Sequence, residues 1–290
     1  MRLAWTVAAL VGLALPAPAW AQGPSAEGAA AEAGSPAPSP SRATGLPNRG
    51  RLRDGVELAE SATVQWSENG RSAHYGTAEL VGLIERAAAK VAVAHPGAVT
   101  LVGDLSRRSG GPLHPHRSHR NGRDADIAFF LRTEGGEPTT ADRFVNLRRS
   151  GCGTDGERRL CFDAERSWTL VAALVQDPIA RVQYVLVAPD IRRRLLEEGE
   201  RRRAPAAVKE RVRIVTEPHQ GSRAHRSHFH VRLYCHRSDR PGCWDEPPFH
   251  AWVDGEPTLA PGRVRRARAR QRARARARRA RIRARQRERA

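Results

Sequence analysis

Apolar residues return along this chain in two rhythms, and each predicts a different kind of element. After Thr77, a residue type suited to an N-cap, Leu80, Leu83, Ile84, Ala87, Ala88 and Val91 recur every three or four positions as far as His95-Pro96. That spacing lines them along one stripe of an amphipathic helix. Val99 to Asp104 then reads as a strand, and Ser109-Gly110-Gly111-Pro112 breaks it into a loop. From Asp124 to Phe130 the pattern alternates, so Asp124 and Asp126 share one face of a strand and Ala125 and Ile127 the other. Further on, the spacing predicts a helix over Ala164 to Gln176, a buried strand over Val182 to Val187 and a basic, mostly exposed helix from Pro189 to about Arg203. A strand is predicted over Val212 to Val215 and another over Ser227 to Tyr234. In the last, His228, His230 and Arg232 share one face, with Phe229, Val231 and Leu233 on the opposite one. Strands and helices interleave without a regular βαβ repeat, which predicts an α+β fold: a central, mostly antiparallel sheet with flanking helices.

Neither end of the 290-residue chain fits that picture. Residues 1–21 start basic at Met1-Arg2, run apolar from Leu3 to Leu15 and end small-x-small at Ala19-Trp20-Ala21. This pattern reads as a cleaved secretory signal, with an uncleaved N-terminal anchor as the other reading. No other stretch is long and apolar enough to be a transmembrane helix. Residues 22–48 are rich in Ala, Pro, Ser and Gly and offer little surface to bury, as expected of a flexible linker. The folded domain is therefore expected over 49–261. Beyond it, residues 262–290 hold fifteen arginines and one glutamate, so this tail carries +14 of the formal net charge of +19. With arginine near every second position no apolar stripe remains for docking, and repulsion favours an extended chain. The tail suits an anionic polymer or a membrane surface, or is simply a solvated extension without a dedicated partner. It has no aromatic residue, which argues against nucleic acid as the main partner.

Two pairs of cysteines, Cys152 with Cys161 and Cys235 with Cys243, lie close in sequence. In an exported chain they suggest two local disulfides; a four-thiolate zinc cluster is the rival reading. The more specific chemistry lies in two histidine-rich stretches, His116 to Asp126 and His225 to His230, which together hold five of the eleven histidines and two carboxylates. Imidazole and carboxylate are the ligand types preferred by a borderline divalent cation such as zinc. His119 in the loop and Asp126 on the strand could approach one cation from two sides. Asp124 is either a ligand in place of Asp126 or a supporting group that orients His119.

A His followed seven residues later by an Asp (His119, Asp126), joined to a later His-x-His (His228, His230), resembles the signature of the lysostaphin and D-alanyl-D-alanine metallopeptidase group. The closer resemblance is to the penicillin-insensitive murein endopeptidase family. It is carried by Gly103-Asp104, by Gly110-Gly111-Pro112, by His116-x-x-His119-x-x-Gly122-x-Asp124-x-Asp126 and by His225-x-x-His228-Phe229-His230 followed by Cys235. The Cys152–Cys161 pair, the proline-rich leader and the arginine tail lie outside that pattern.

The resemblance implies a zinc site in a cleft on the sheet. Zinc would be held by His119, Asp126 and His230, with His116 as a further ligand or close neighbour. It also implies that His225 and His228 line the catalytic pocket, and that the substrate is the D-alanyl to meso-diaminopimelate amide of peptidoglycan cross-links in the periplasm. Two imidazoles and one carboxylate leave one coordination position open, as catalytic rather than structural zinc requires. On this reading His228 is the general base, His225 assists at the oxyanion or a substrate carboxylate, and Arg232 receives a carboxylate of diaminopimelate. The alternatives are a non-catalytic or weakly catalytic peptidoglycan-binding protein, and a D,D- or L,D-carboxypeptidase using the same site.

Overall fold

Helices form where apolar stripes coincide with good caps. In the computed structural model, which describes residues 41–68, 73–219 and 222–253 together with positions 259 and 262, four helices stand among the described residues. They are α1 (Ala78–Ala94), α2 (Ala164–Val175), α3 (Pro189–Arg201) and α4 (Ala206–Val215). Thr77 caps α1, its hydroxyl accepting from the Leu80 amide at 3.3 Å, and Asp163 does the same for α2 through the Arg166 amide at 3.1 Å. The strands are β1 (Arg42–Thr44), β2 (Arg51–Arg53), β3 (Val56–Glu57), β4 (Val64–Trp66), β5 (Tyr75–Gly76), β6 (Thr100–Val102) and β7 (Asp124–Ala128). They continue as β8 (Leu131–Thr133), β9 (Pro138–Thr139), β10 (Cys152–Asp155), β11 (Arg158–Phe162), β12 (Val182–Leu186) and β13 (His228–Leu233).

The central sheet has the order β12-β13-β7-β6-β4, antiparallel throughout except for the parallel pair β4 and β6. A second sheet of order β10-β11-β8-β9 lies between β7 and α2 in sequence. The fold is thus α+β with a mostly antiparallel central sheet, as the pattern predicts. Ala125 and Ile127 of β7 and Phe229, Val231 and Leu233 of β13 join the buried faces of α1 and α2 in one hydrophobic core. The other face of the same two strands is left to Asp124, Asp126, His228, His230 and Arg232.

Two expectations change. Val212 to Val215 is not a strand but the last turn of α4. Its β-branched residues resemble a short strand in isolation, yet Val208, Val212 and Val215 recur at helical spacing, are buried, and follow Pro205 at the N-cap. The folded region also begins before residue 49. Arg42–Thr44 pairs with β2, Ala43 is fully buried, and Arg120 donates to the Pro47 carbonyl at 3.0 Å. The segment around β1 is held by contacts from elsewhere in the chain, which its own composition does not reveal. The expected signal at 1–21, the linker up to residue 40 and the arginine tail from 263 lie outside the described residues.

Both expected disulfides are present, and all four cysteines are so engaged. Cys152 and Cys161 are direct cross-strand partners on β10 and β11. Cys235 and Cys243 close a turn after β13, and with Ala43 they form a small buried cluster.

Between the first histidines and β7 the chain turns sharply at Gly122, with φ +74°. A Cβ there would sit 2.8 Å from a Leu52 methyl and 3.0 Å from the Thr77 amide nitrogen, which itself donates to the Gly122 carbonyl. Gly122→Ala therefore meets both left-handed strain and a clash. The expected loss is about 2 kcal/mol, read as a lower urea midpoint at unchanged slope.

Candidate metal centre

The register of two strands assembles the centre. β13 runs antiparallel to β7 with His230 opposite Asp126, Arg232 opposite Asp124 and His228 opposite Ala128. Directly opposed residues on one face lie within side-chain reach of each other. His230 Nδ1 accordingly sits 2.9 Å from Asp126 Oδ1, and His228 Nε2 lies 3.5 Å from the same oxygen. The loop preceding β7 brings in His119, whose Nε2 is 3.2 Å from His230 Nδ1 and 3.4 Å from Asp126 Oδ1. His116 Nδ1 is 3.6 Å from Asp126 Oδ2. Ligand atoms of His116, His119 and Asp126 all fall within 4.8 Å of one another.

Each imidazole is oriented from behind. His119 Nδ1 donates to the Leu105 carbonyl at 2.7 Å, which leaves Nε2 as the atom facing His230 and Asp126. His116 Nε2 donates to Asp104 Oδ2 at 2.9 Å, which turns Nδ1 toward Asp126. His230 Nε2 faces Asp124 Oδ1 at 3.3 Å. Such outer partners fix the tautomer of a metal-binding histidine. The donors of a tetrahedral zinc, each about 2.0–2.1 Å from the ion, lie about 3.3 Å apart. The 3.2 Å, 3.4 Å and 2.9 Å edges among His119 Nε2, His230 Nδ1 and Asp126 Oδ1 fit that figure.

Asp124 ties the arrangement together. Oδ2 accepts the His119 backbone amide at 2.9 Å, and Oδ1 accepts from Arg232 Nε and faces His230 Nε2. His119 has φ +62°, a left-handed value unusual for a residue with a side chain, and the Asp124 bond holds it there. Burial alone would raise both aspartate carboxyls. The Arg232 guanidinium beside Asp124, and the imidazoles of His119 and His228 beside Asp126, more than offset it and hold both well below the usual carboxylate range. Burial would lower His230, but its bonds to Asp124 and Asp126 push it up to about 8. A cation binding at His230 would therefore compete with a proton held by the two aspartates. His228 goes the other way: burial takes it down to about 4 against the pull of Asp126.

The structure brings His116, His119, Asp124, Asp126, His225, His228 and His230 together as the sequence expects. His225 packs edge-on to His228 and His230, with ring centroids 5.2 Å and 5.4 Å away. Its loop is latched by Arg226, which donates to both Asp190 oxygens at 2.8 Å and 2.7 Å and to the Leu147 carbonyl. Arg232 is the exception. Its Nε is taken by Asp124 and its guanidinium lies 4.9 Å over the Tyr184 ring, an internal partnership that the carboxylate-receptor reading did not anticipate. Sequence reasoning quoted Asp104 only as part of the family pattern and gave it no role, although it is the partner of His116 twelve residues on, and it passed over Phe144, which stacks on His228 at 4.9 Å. Gly103-Asp104 offered a signal for the first; nothing local marked the second.

A family model for penicillin-insensitive murein endopeptidase matches residues 43–278. The chain belongs to that family. A curated relative, the penicillin-insensitive murein endopeptidase of Haemophilus influenzae, is 32% identical over 194 residues, which is 62% of this chain and 58% of the relative. The chain thus matches somewhat less than two thirds of that relative's length.

Asp124→Asn keeps the shape of the side chain but replaces an ion that accepts several N–H groups. Zinc affinity, measured by competition with a chromogenic chelator, should fall about 10–100-fold. An unchanged affinity would remove Asp124 from the centre.

Proposed function

We propose that this chain is a zinc-dependent endopeptidase of the cell wall that hydrolyses the D-alanyl to meso-diaminopimelate amide of peptidoglycan cross-links. The observation that carries this reading is the convergence of His119 Nε2, His230 Nδ1 and Asp126 Oδ1 at the edge lengths of a tetrahedral ion, each imidazole fixed by its own outer partner. Membership of a murein endopeptidase family supports the substrate class. The N-terminal signal pattern supports export to the periplasm, and among the described residues no helix is long and apolar enough to cross a membrane.

His119, Asp126 and His230 would hold the zinc, with His116 as the exchangeable fourth group because its imidazole is 23% exposed where His119 is 1%. The ion would supply Lewis-acid polarisation of the scissile carbonyl and acidify a water beside it. The protein's own groups then manage the protons. His228 stays neutral at physiological pH, and its Nε2 lies 3.5 Å from Asp126 Oδ1. Its Nδ1 pairs with Ser227 Oγ at 3.0 Å, which fixes the ring with Nε2 toward the centre. From there it takes the proton of the attacking water and returns it to the leaving amine. Phe144 holds the ring plane by stacking. His225, beside both His228 and His230, is placed to stabilise negative charge as it develops on the carbonyl oxygen. Arg232 we reassign from substrate binding to positioning, because it neutralises Asp124.

Purified muropeptide dimers should yield monomers carrying a new free amine on diaminopimelate, read by mass spectrometry. The product should disappear with a chelator and with His119→Ala, and return with added zinc only in the unmodified protein. His228→Ala should retain zinc while losing about 10²–10⁴-fold in rate. Binding of sacculi without any new amine would instead indicate a wall-binding protein, and release of terminal D-alanine a carboxypeptidase.

A further inference from the structure

Gly103, the residue after β6, is a glycine whose backbone does not require one. It is not among the glycines held at positive φ, so a side chain there would meet no left-handed strain. What it lacks is room. A Cβ on residue 103 would stand 2.6 Å, 3.0 Å and 3.5 Å from Cζ, Cε2 and Cε1 of Phe144, and these are the three atoms nearest to it. Carbon atoms pack about 3.5–4.0 Å apart, so the ring would have to move. The same ring lies on His228, with centroids 4.9 Å apart and planes 25° from parallel. Phe144 is therefore wedged, its tip on Gly103 and one face on the imidazole.

Both ends of the wedge are tied to the metal centre. The Gly103 amide donates to the Asp126 carbonyl at 2.8 Å, and the Asp126 amide donates to the Asp104 carbonyl at 3.0 Å. On the other side, the Glu68 amide donates to the Asp142 carbonyl at 2.9 Å, two residues before Phe144. Leu147 donates to the Arg226 carbonyl at 2.9 Å and accepts from Arg226 Nε at 2.6 Å, which fixes the segment to the loop that leads into His228. Val145 and Leu147 anchor it in the main core, while Phe144 itself is only part-buried. Stacking sets the spacing of two rings but lets one slide over the other. An abutment at the tip removes that freedom. Ser227 fixes which nitrogen of His228 faces the centre, not the tilt of its plane.

We infer that Gly103 is a positioning residue that acts through Phe144: by leaving space for the ring tip and no more, it sets where the ring rests on His228 and so where His228 Nε2 stands against Asp126. The catalytic consequence rests on His228 being the base of the proposed peptidase; the contact itself does not.

The test is a double-mutant cycle in the full chain with zinc, using Gly103→Ala, Phe144→Leu and the two combined, each checked for unchanged circular dichroism and zinc content. Leucine ends at its δ carbons, so it keeps apolar bulk but lacks the three ring atoms that a Cβ on residue 103 would meet. On muropeptide dimers each single variant should lose roughly 10–100-fold in kcat at nearly unchanged KM. In the Phe144→Leu chain, Gly103→Ala should cause no further loss. Losses that multiply overturn the inference, and so does wild-type kcat in Gly103→Ala. Proton NMR of the His228 ring, assigned by its disappearance in His228→Ala, reads the contact without substrate. The ring current of Phe144 should displace that signal in the wild-type chain, Gly103→Ala should shift it, and in the Phe144→Leu chain Gly103→Ala should leave it in place. A His228 signal indifferent to Gly103→Ala overturns the inference whether or not dimers are cleaved. A wild-type chain that shows these shifts yet releases no amine would instead overturn the peptidase function and leave the positioning contact standing.

Discussion

A carboxylate sealed from water is costly unless its neighbours replace what water supplied, and the site hangs on how Asp124 meets that demand. The Arg232 guanidinium and the His230 imidazole reach it from β13, and the His119 amide reaches it from the loop before β7. One buried charge thus ties two sequence segments more than a hundred residues apart, orients one imidazole and bends the backbone at the other. Removing it would leave Arg232 buried beside Tyr184 without its counter-ion, so the charge is a structural fastening as well as part of the candidate metal centre.

The positions of the other groups follow from core packing. Phe229 and Val231 are fully buried on one side of β13, while His230 between them turns to the opposite face. A slip of one residue would exchange the two sets. The hydrophobic core that fixes this register therefore also decides that His230 faces Asp126. Core and chemistry are two faces of the same pair of strands.

That coupling explains what could be read from letters alone. Period-two alternation in β7 and β13 was strong enough to give both strands and their polar faces, and the helical stripe with Thr77 gave α1. The small sheet from β8 to β11 was missed because its strands are short and only partly buried, and so carry little alternation. The last turn of α4 was misjudged because four residues are too few to separate the two rhythms. At the centre, the two histidine-rich stretches marked the side chains that the strands and the loop bring together, and the ligand set itself came from the family resemblance. They could not tell whether Arg232 faces a substrate or Asp124, because both are served by the same strand face.

The central claim is that one cation sits between β7, β13 and the His119 loop. Crystals of zinc-loaded protein, measured on both sides of the zinc absorption edge, test it most directly. The account predicts one anomalous peak, about 2.0–2.2 Å from His119 Nε2, His230 Nδ1 and an Asp126 oxygen. A peak held by other residues, or none at that place in protein shown to contain zinc, would contradict it.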